Sequence, residues 1–226
     1  MSSNAEFAYG ADPAGQRLAA IVRRLVDATI RTTAGEDELA AAAKHVRAAL
    51  TVLGGTQIPG SPGTHYGMHE LAWTRGNPVI GQRNAVAPPV TVVHDRPGSA
   101  RAEVVLGAAY EGPPGHVHGG VLAMLLDHIM GDAASHQRRR AATGTLQVRY
   151  NRGIRLGRVI IEANVVAEQD RKVHVEARAG EPGGGVGVEA SGIFIALQAV
   201  SDDDRIDGAQ ARAAEENSPG TREDLR

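Results

Sequence analysis

The sequence predicts an α+β domain in which one buried helix lies against a single curved antiparallel sheet. Three observations carry that expectation. Val121 to Ala134 is apolar on nearly every side of a helix, through Val121, Leu122, Met124, Leu125, Leu126, Ile129 and Met130, which marks a helix that is buried. Segments rich in alternating and β-branched residues read as strands at about 90–95, 101–110, 143–151, 157–168, 171–180 and 186–197. Short connections, Gln169-Asp170-Arg171 and Glu181-Pro-Gly-Gly-Gly185, join the later strands into an antiparallel meander. One helix on one such sheet makes a two-layer domain.

Residues 1–63 read as an N-terminal helical extension and linker. Asp12 can cap a helix and Pro13 suits its first position, while Leu18, Ile21, Val22, Leu25 and Thr29 repeat on one face. Thr33-Ala-Gly-Glu36 has the form of a capping box. It would open a second helix with Leu39, Ala43, Val46, Leu50 and Leu53 on its stripe, stopped by Gly54-Gly55. Neither helix carries chemistry. Both are expected to pack on the outside of the main domain or on a partner subunit. A Gly- and Pro-rich linker to Gly63 leads into the main domain, residues 64–200. Residues 201–226 read as a disordered acidic tail, with eight acidic residues against four arginines and almost nothing apolar to bury.

Composition narrows the function. A chain of 226 residues suits one domain with appendages. Aromatic residues are few (Phe7, Tyr9, Tyr66, Trp73, Tyr110, Tyr150 and Phe194), and the abundance of small residues favours close backbone packing. A formal charge of −2 gives no case for nucleic acid or an anionic membrane. Without cysteine there is no disulfide, thiolate nucleophile or thiolate metal site, which fits a reducing cytoplasm. Met1 to Gly10 lacks a basic and apolar leader pattern, and no segment approaches ~20 apolar residues, so neither signal peptide nor membrane span is expected. The glycine run at 181–185 lacks the helix and lysine of a phosphate loop.

The chemistry concentrates in Gly112-Pro-Pro-Gly-His-Val-His-Gly-Gly120, which runs directly into the apolar helix. Prolines and glycines force a tight turn. His118-Gly119-Gly120 then presents backbone N–H groups that have no intrahelical partner and sit at the positive end of the helix dipole. Such groups bind anions or stabilise an oxyanion. Two turns later comes Asp127, a carboxylate among apolar residues, where an ionised group is costly unless partnered or functional.

With these residues in view, the chain resembles the hotdog-fold acyl-CoA thioesterases of the PaaI-like and THEM4-like type. His118-Gly-Gly with Asp127 nine residues after the histidine carries the likeness, and the order of three further segments supports it. Asn84-Ala-Val-Ala-Pro-Pro89 resembles the N-P-x-A-P-P lead-in. Tyr110-Glu111-Gly-Pro-Pro-Gly115 resembles the segment before H-G-G. Thr145-Leu-Gln-Val-Arg-Tyr150-Asn-Arg152 resembles the T-L-x-V-x-Y-x-R strand. The likeness covers roughly residues 77–198. Ala85 stands in place of the first lead-in proline, and Gly153 where the family has a proline after the arginine. The resemblance implies a hotdog fold at 64–200, a curved antiparallel sheet wrapped around one central helix. It also implies hydrolysis of an acyl-CoA thioester without metal or redox cofactor.

On that reading Asp127 is nucleophile or general base, Gly119 N–H is the oxyanion donor, and the Thr145 hydroxyl assists. His118, Gly120, Arg149 and Arg152 are expected to bind substrate, with His118 bracing the turn. Plainer readings stand beside these. Asp127 could be a structural acid bonded to backbone or to Arg149, and Thr145 a β-favouring strand residue. Arg138-Arg139-Arg140 suits a helix C-terminus by its dipole alone, or clamps CoA phosphates. The spacing of His116-x-His118 and of His128, Asp132, His136 is ligand-like, yet no metal signature accompanies it. A hotdog hydratase would need a D-x-x-x-x-H pattern that is not found. The alternative from another class is a non-catalytic acyl-CoA-binding hotdog protein.

Geometry adds an expectation about assembly. Gly119 and Asp127 are eight residues apart, about 12 Å on one straight helix at ~1.5 Å per residue. A thioester carbonyl needs donor and nucleophile each within ~3 Å. Two antiparallel helices across a two-fold axis can supply them, one group from each subunit, as in the family resembled. A homodimer or dimer of dimers is therefore expected.

Overall fold

The computed structural model describes residues 12–57, 65–66, 72–73, 76–88, 90–135 and 140–197. The expected acidic tail, most of the linker after Gly54 and the Arg138-Arg139 pair lie outside the described residues. Helix α1 (Pro13–Arg31) begins as expected, with Pro13 at its first position and the Gly15 N–H donating to Asp12 Oδ1 at 3.0 Å. Its inner side buries Gly15 and Ala19. From that side Arg23 donates to the carbonyls of Ala87 (2.9 Å) and Asn84 (3.2 Å), and Asp12 meets Arg83 at 3.3 Å. α1 is thereby strapped to the segment that leads into the sheet.

Helix α2 (Glu36–Gly54) corrects the predicted cap. The N-cap is Gly35, in extended conformation, and its N–H donates to Glu38 Oε2 at 3.1 Å. Thr33 and Glu36 do not form the box, because the helix starts two residues later than their spacing requires. α2 buries none of its residues.

A two-residue ladder, β1 (His65–Tyr66) with β2 (Ala72–Trp73), precedes the main sheet. Sequence reading gave no element there. Asn77 then turns the chain, its Oδ1 accepting from the N–H groups of Val79 (2.7 Å) and Ile80 (3.0 Å). The sheet strands are β3 (Thr91–Val93), β4 (Ser99–Leu106), β5 (Ala141–Tyr150), β6 (Gly157–Gln169), β7 (Lys172–Gly180) and β8 (Val188–Ala196). They pair antiparallel throughout in the order β3-β4-β6-β7-β8-β5. The strand expected over 101–110 stops at Leu106, and Ala108–Tyr110 forms a 3-10 turn instead. There the Tyr110 hydroxyl donates to the Val86 carbonyl at 3.0 Å, and burial raises the phenol pKa against the opposing charge of Arg23.

Helix α3 (Gly119–Ala134) crosses one face of this sheet and connects β4 to β5 at its far edge. Leu122, Leu125, Leu126, Ile129, Met130 and Ala133 of α3 are fully buried against the strands. The strands answer with small side chains, Ala100, Ala102, Ala163, Ala177, Ala179 and Ala190, so the helix sits close to the backbone. Phe194 is the large aromatic of the core. A methyl group on Gly192 would stand 2.9 Å from the Thr145 carbonyl and 3.1 Å from the Phe194 ring, so glycine is needed there. The curved sheet around one central helix, with a helical extension ahead of it, is the architecture expected from the sequence.

Candidate functional site

The turn ahead of α3 is built by its own backbone. His116 N–H donates to Pro113 O and Gly112 N–H to His116 O, both at 2.9 Å. Gly115 holds the left-handed conformation the turn requires (φ 72°), and its N–H reaches Glu111 Oε1 at 2.6 Å. Two longer bonds fix the turn to the body: Val117 N–H to Ile154 O and His118 N–H to Tyr110 O, each 2.9 Å. Gly153, the departure from the family pattern, has a local cause. A β-carbon there would lie 2.7 Å from His116 Cδ2, so the ring of His116 fills the place a proline would need.

His118 is the N-cap of α3. Its Nδ1 accepts the Gly120 N–H at 3.0 Å, so the ring is the neutral tautomer protonated on Nε2. The His118 carbonyl takes the N–H groups of Val121 (3.0 Å) and Leu122 (3.2 Å). Of the amides at the helix start, Gly119 N–H alone has no acceptor among the described residues. His118 thus braces the turn through its ring, as expected. Gly120 does not present a free amide, because His118 occupies it.

Tyr150 closes the other side of the turn. Its hydroxyl donates to Gly119 O at 2.8 Å, and a β-carbon on Gly119 would meet its ring at 3.3 Å. Sequence reading gave Tyr150 no role of its own.

Asp127 lies partly buried on α3, and its Oδ1 accepts the hydroxyl of Thr143 at 2.8 Å. The sequence had pointed to Thr145. The difference comes from a β-bulge between Thr143 and Thr145 in the pairing of β5 with β8. Thr143 pairs with Phe194, which points into the core, and so faces α3. Thr145 pairs with Ile193 and faces outward beside His174, Gln147 and Ser191. Gly144 makes the bulge possible: a β-carbon there would stand 3.0 Å from Ile193 O. A lone glycine inside a strand pattern signals a bulge, and that was the cue available in the sequence.

The neighbouring histidine of the helix, His128, is half-buried. Burial lowers the pKa of His128, opposed by the charges of Asp132 and Asp127, and its Nε2 has no hydrogen-bond partner among the described residues. Asp132 instead faces the ring of His94, 3.4 Å from Nε2. His136, the third residue of the ligand-like spacing, lies outside the described residues.

The two predicted arginines lie apart from Gly119 and Asp127, Arg149 lining the larger groove of the outer sheet face. Arg149 stands on the outer sheet face, where register aligns Arg101, Glu162, Arg178, Glu189 and Arg149 across five strands in alternating charge. Arg152 is engaged by Glu181 at 2.6 Å and donates to the Gly185 carbonyl. That contact holds the Glu181 carboxyl down to about 2 and raises the Arg152 pKa. Glu181 also accepts the Arg155 N–H at 3.0 Å. Arg152 thus ties the β5–β6 loop to the β7–β8 loop. Two grooves of about 680 and 370 Å³ open on the outer sheet face, and neither is lined by Gly119 or Asp127.

A single chain therefore presents, among the described residues, an amide without an acceptor at the N-terminus of α3 and, two turns on at mid-helix, a carboxylate steadied by a hydroxyl. Comparison with known proteins identifies the family and the fold. The family model described as Thioesterase superfamily matches residues 114–187, from the turn to the end of the β7–β8 loop. Protein RHA08564, a thioesterase superfamily protein of known crystal structure, is 32% identical over 82% of this chain and 91% of its own, with a TM-score of 0.72. The conserved protein PA5202 from Pseudomonas aeruginosa is 28% identical over 48% of this chain and 89% of its own, at a TM-score of 0.45. A hypothetical thioesterase from Streptococcus pneumoniae TIGR4, solved with coenzyme A, is 17% identical over 50% of this chain and 91% of its own, at 0.47. A search of curated proteins by sequence gives no match. By its close likeness to RHA08564 along nearly the whole length of that protein, the chain belongs to the thioesterase superfamily and has the hotdog fold.

Proposed function

We propose that this protein is a thioester hydrolase acting on acyl-CoA, with Asp127 as nucleophile or general base and Gly119 N–H as oxyanion donor. The observation that supports the reading is the contrast along α3: Gly119 N–H without an acceptor among the described residues, and Asp127 Oδ1 held by Thr143 at 2.8 Å. Thr143 takes the assisting role first given to Thr145, since only Thr143 faces the helix. Attack at the thioester carbonyl pushes charge onto its oxygen, which an aligned amide at a helix N-terminus stabilises. The C–S bond then breaks; one water, taken up directly with Asp127 as base or in hydrolysing an acyl-aspartyl intermediate, supplies the hydroxyl of the free acid and the proton with which CoA leaves as the thiol. Superfamily membership supports hydrolysis of a thioester, and a cysteine-free chain suits the cytoplasm, where acyl-CoA is made.

The active species in this reading is a homodimer. Both groups lie on one helix, about 12 Å apart at ~1.5 Å per residue, too far to bracket a single carbonyl. The partner's helix brings its own half of the site. Among the described residues no helix is long and apolar enough to cross a membrane, which accords with a water-borne CoA thioester as substrate. Release of free thiol from a panel of short, long and aromatic acyl-CoAs tests the proposal, with Asp127→Asn as control. Tight acyl-CoA binding without turnover by the wild-type protein would instead make it a binding protein.

A further inference from the structure

α1 and α2 carry matching apolar stripes that do not meet. On α2, Leu39, Ala43, Val46, Leu50 and Leu53 are spaced alternately by four and three residues. On α1 the same alternation runs through Ala14, Leu18, Ile21, Leu25 and Ala28. An alternating spacing of this kind is what a helix needs to seat along a second helix. Both stripes are largely open: Ile21 is 61% exposed, Leu25 39%, Leu39 47%, Leu50 62% and Leu53 43%, while Leu18, Ala43 and Val46 are half-buried. The opposite side of α1, with Gly15, Ala19 and Arg23, is already used to hold the body.

Run antiparallel, the two stripes match position for position. Ala14 falls opposite Leu53, Leu18 opposite Leu50, Ile21 opposite Val46, Leu25 opposite Ala43, and Ala28 opposite Leu39. Charge favours the same direction. Arg17, Arg24 and Arg31 follow each other at seven-residue intervals along one flank of the α1 stripe. The facing flank of α2 is small, Gly35, Ala42 and Ala49, which leaves them room. The first turn of α2 is acidic, with Glu36, Asp37 and Glu38, and it comes level with Arg31 at the end of α1, whose exposed ion pair with Asp27 at 3.1 Å leaves further guanidinium N–H groups to share.

Within one chain the helices do not close on each other. The C-cap Thr32 and the N-cap Gly35 both have extended backbone (ψ 145° and 174°), and this connector carries α2 off without packing it on α1. Two open, complementary stripes on one chain, separated by a short extended hinge, are satisfied together by reciprocal exchange between two copies. We infer that α2 of each chain packs antiparallel on α1 of a second copy, giving a four-helix clasp that reinforces the dimer. From the proposed function it takes only the presence of two copies.

The absence of cysteine from the chain makes the test direct. Chains bearing Ile21→Cys and chains bearing Val46→Cys, tagged differently, are co-expressed and oxidised. A second combination, Leu25→Cys with Ala43→Cys, tests the same register one turn along, and Ile21→Cys with Leu50→Cys detects a one-turn slip. The expected product is a disulfide-linked pair of unlike chains. Chains carrying both substitutions together should likewise give covalent dimers. Three results overturn the inference: a compact cross-linked monomer from the doubly substituted chain, which puts α2 on its own α1; predominant Val46→Cys homodimers, which pair α2 with α2; or no cross-link with any combination. Thiol release assayed on the same samples separates the two readings. An active enzyme without cross-links refutes the clasp alone, and a cross-linked protein without turnover refutes the hydrolase alone.

Discussion

Replacing Thr143 by valine removes one hydroxyl and nearly nothing else, and its effect follows from the contact with Asp127. The Oγ1–Oδ1 distance of 2.8 Å is that of a good hydrogen bond to a carboxylate. Bonds to charged groups contribute about 1.5–3 kcal/mol. Thr143 is exposed in the single chain, so water can replace part of the lost bond and the lower end applies. About 1.5 kcal/mol corresponds to roughly a tenfold fall in kcat, since ~1.4 kcal/mol is a factor of ten. The effect belongs in kcat more than KM, because the hydroxyl steadies the attacking group and does not reach for the CoA moiety. Thr145→Val, two residues on, should leave kcat within about twofold, because that side chain faces away from α3. Thr143→Ser keeps the hydroxyl and should recover most of the loss. The assay is initial-rate thiol release from the best acyl-CoA substrate, with thermal unfolding as the control for folding. Equal kcat for Thr143→Val and wild type, both well folded, would refute the assignment of Thr143, as would an equal fall for Thr145→Val.

Other expectations can be checked on the same protein. Asp127→Asn should keep the fold and lose on the order of 10² or more in rate, and near-normal turnover would remove Asp127 from the chemistry. Gly119→Val should lower kcat far more than it weakens binding of a non-hydrolysable analogue, since a lost oxyanion donor costs ~2.7–4 kcal/mol. Its β-carbon also presses on the Tyr150 ring at 3.3 Å, so melting must be followed alongside. Random mixing of Asp127→Asn and Gly119→Val chains should return about a quarter of wild-type activity, because half of the dimers then carry one intact composite site of two. Mixed dimers that form yet stay inactive would rule out a shared site. The Glu181 carboxyl is held near 2 against an ordinary 4.5 by Arg152. A depressed carboxylate stabilises the fold above its unfolded value, and that contribution is lost as pH falls from about 4.5 towards 2. Glu181→Gln should therefore lower Tm at neutral pH and flatten its fall over that acid range, read by thermal unfolding at a series of pH values.

What the sequence determined by itself was local. The period of apolar residues after Gly120 is a property of neighbours along one helix, so α3 and its buried character are legible from Val121 to Met130. The punctuation of Gly112 to Gly120 likewise announces a turn that opens a helix, and the alternation in β4, β7 and β8 announces strands. These features need only short-range sterics and the period of the element. What tertiary structure decided depends on pairings between distant parts of the chain. Thr143 rather than Thr145 meets Asp127 because a bulge at Gly144 shifts β5 against β8, and a one-residue shift turns a side chain to the other face of a sheet. Gly119 rather than Gly120 keeps a free amide because the His118 ring turns back onto Gly120. Arg152 pairs with Glu181 because two loops meet that are far apart in sequence. The apolar stripe of α2 is plain in the sequence, but its exposure is not, since only the direction in which the hinge carries the helix determines what the stripe can touch.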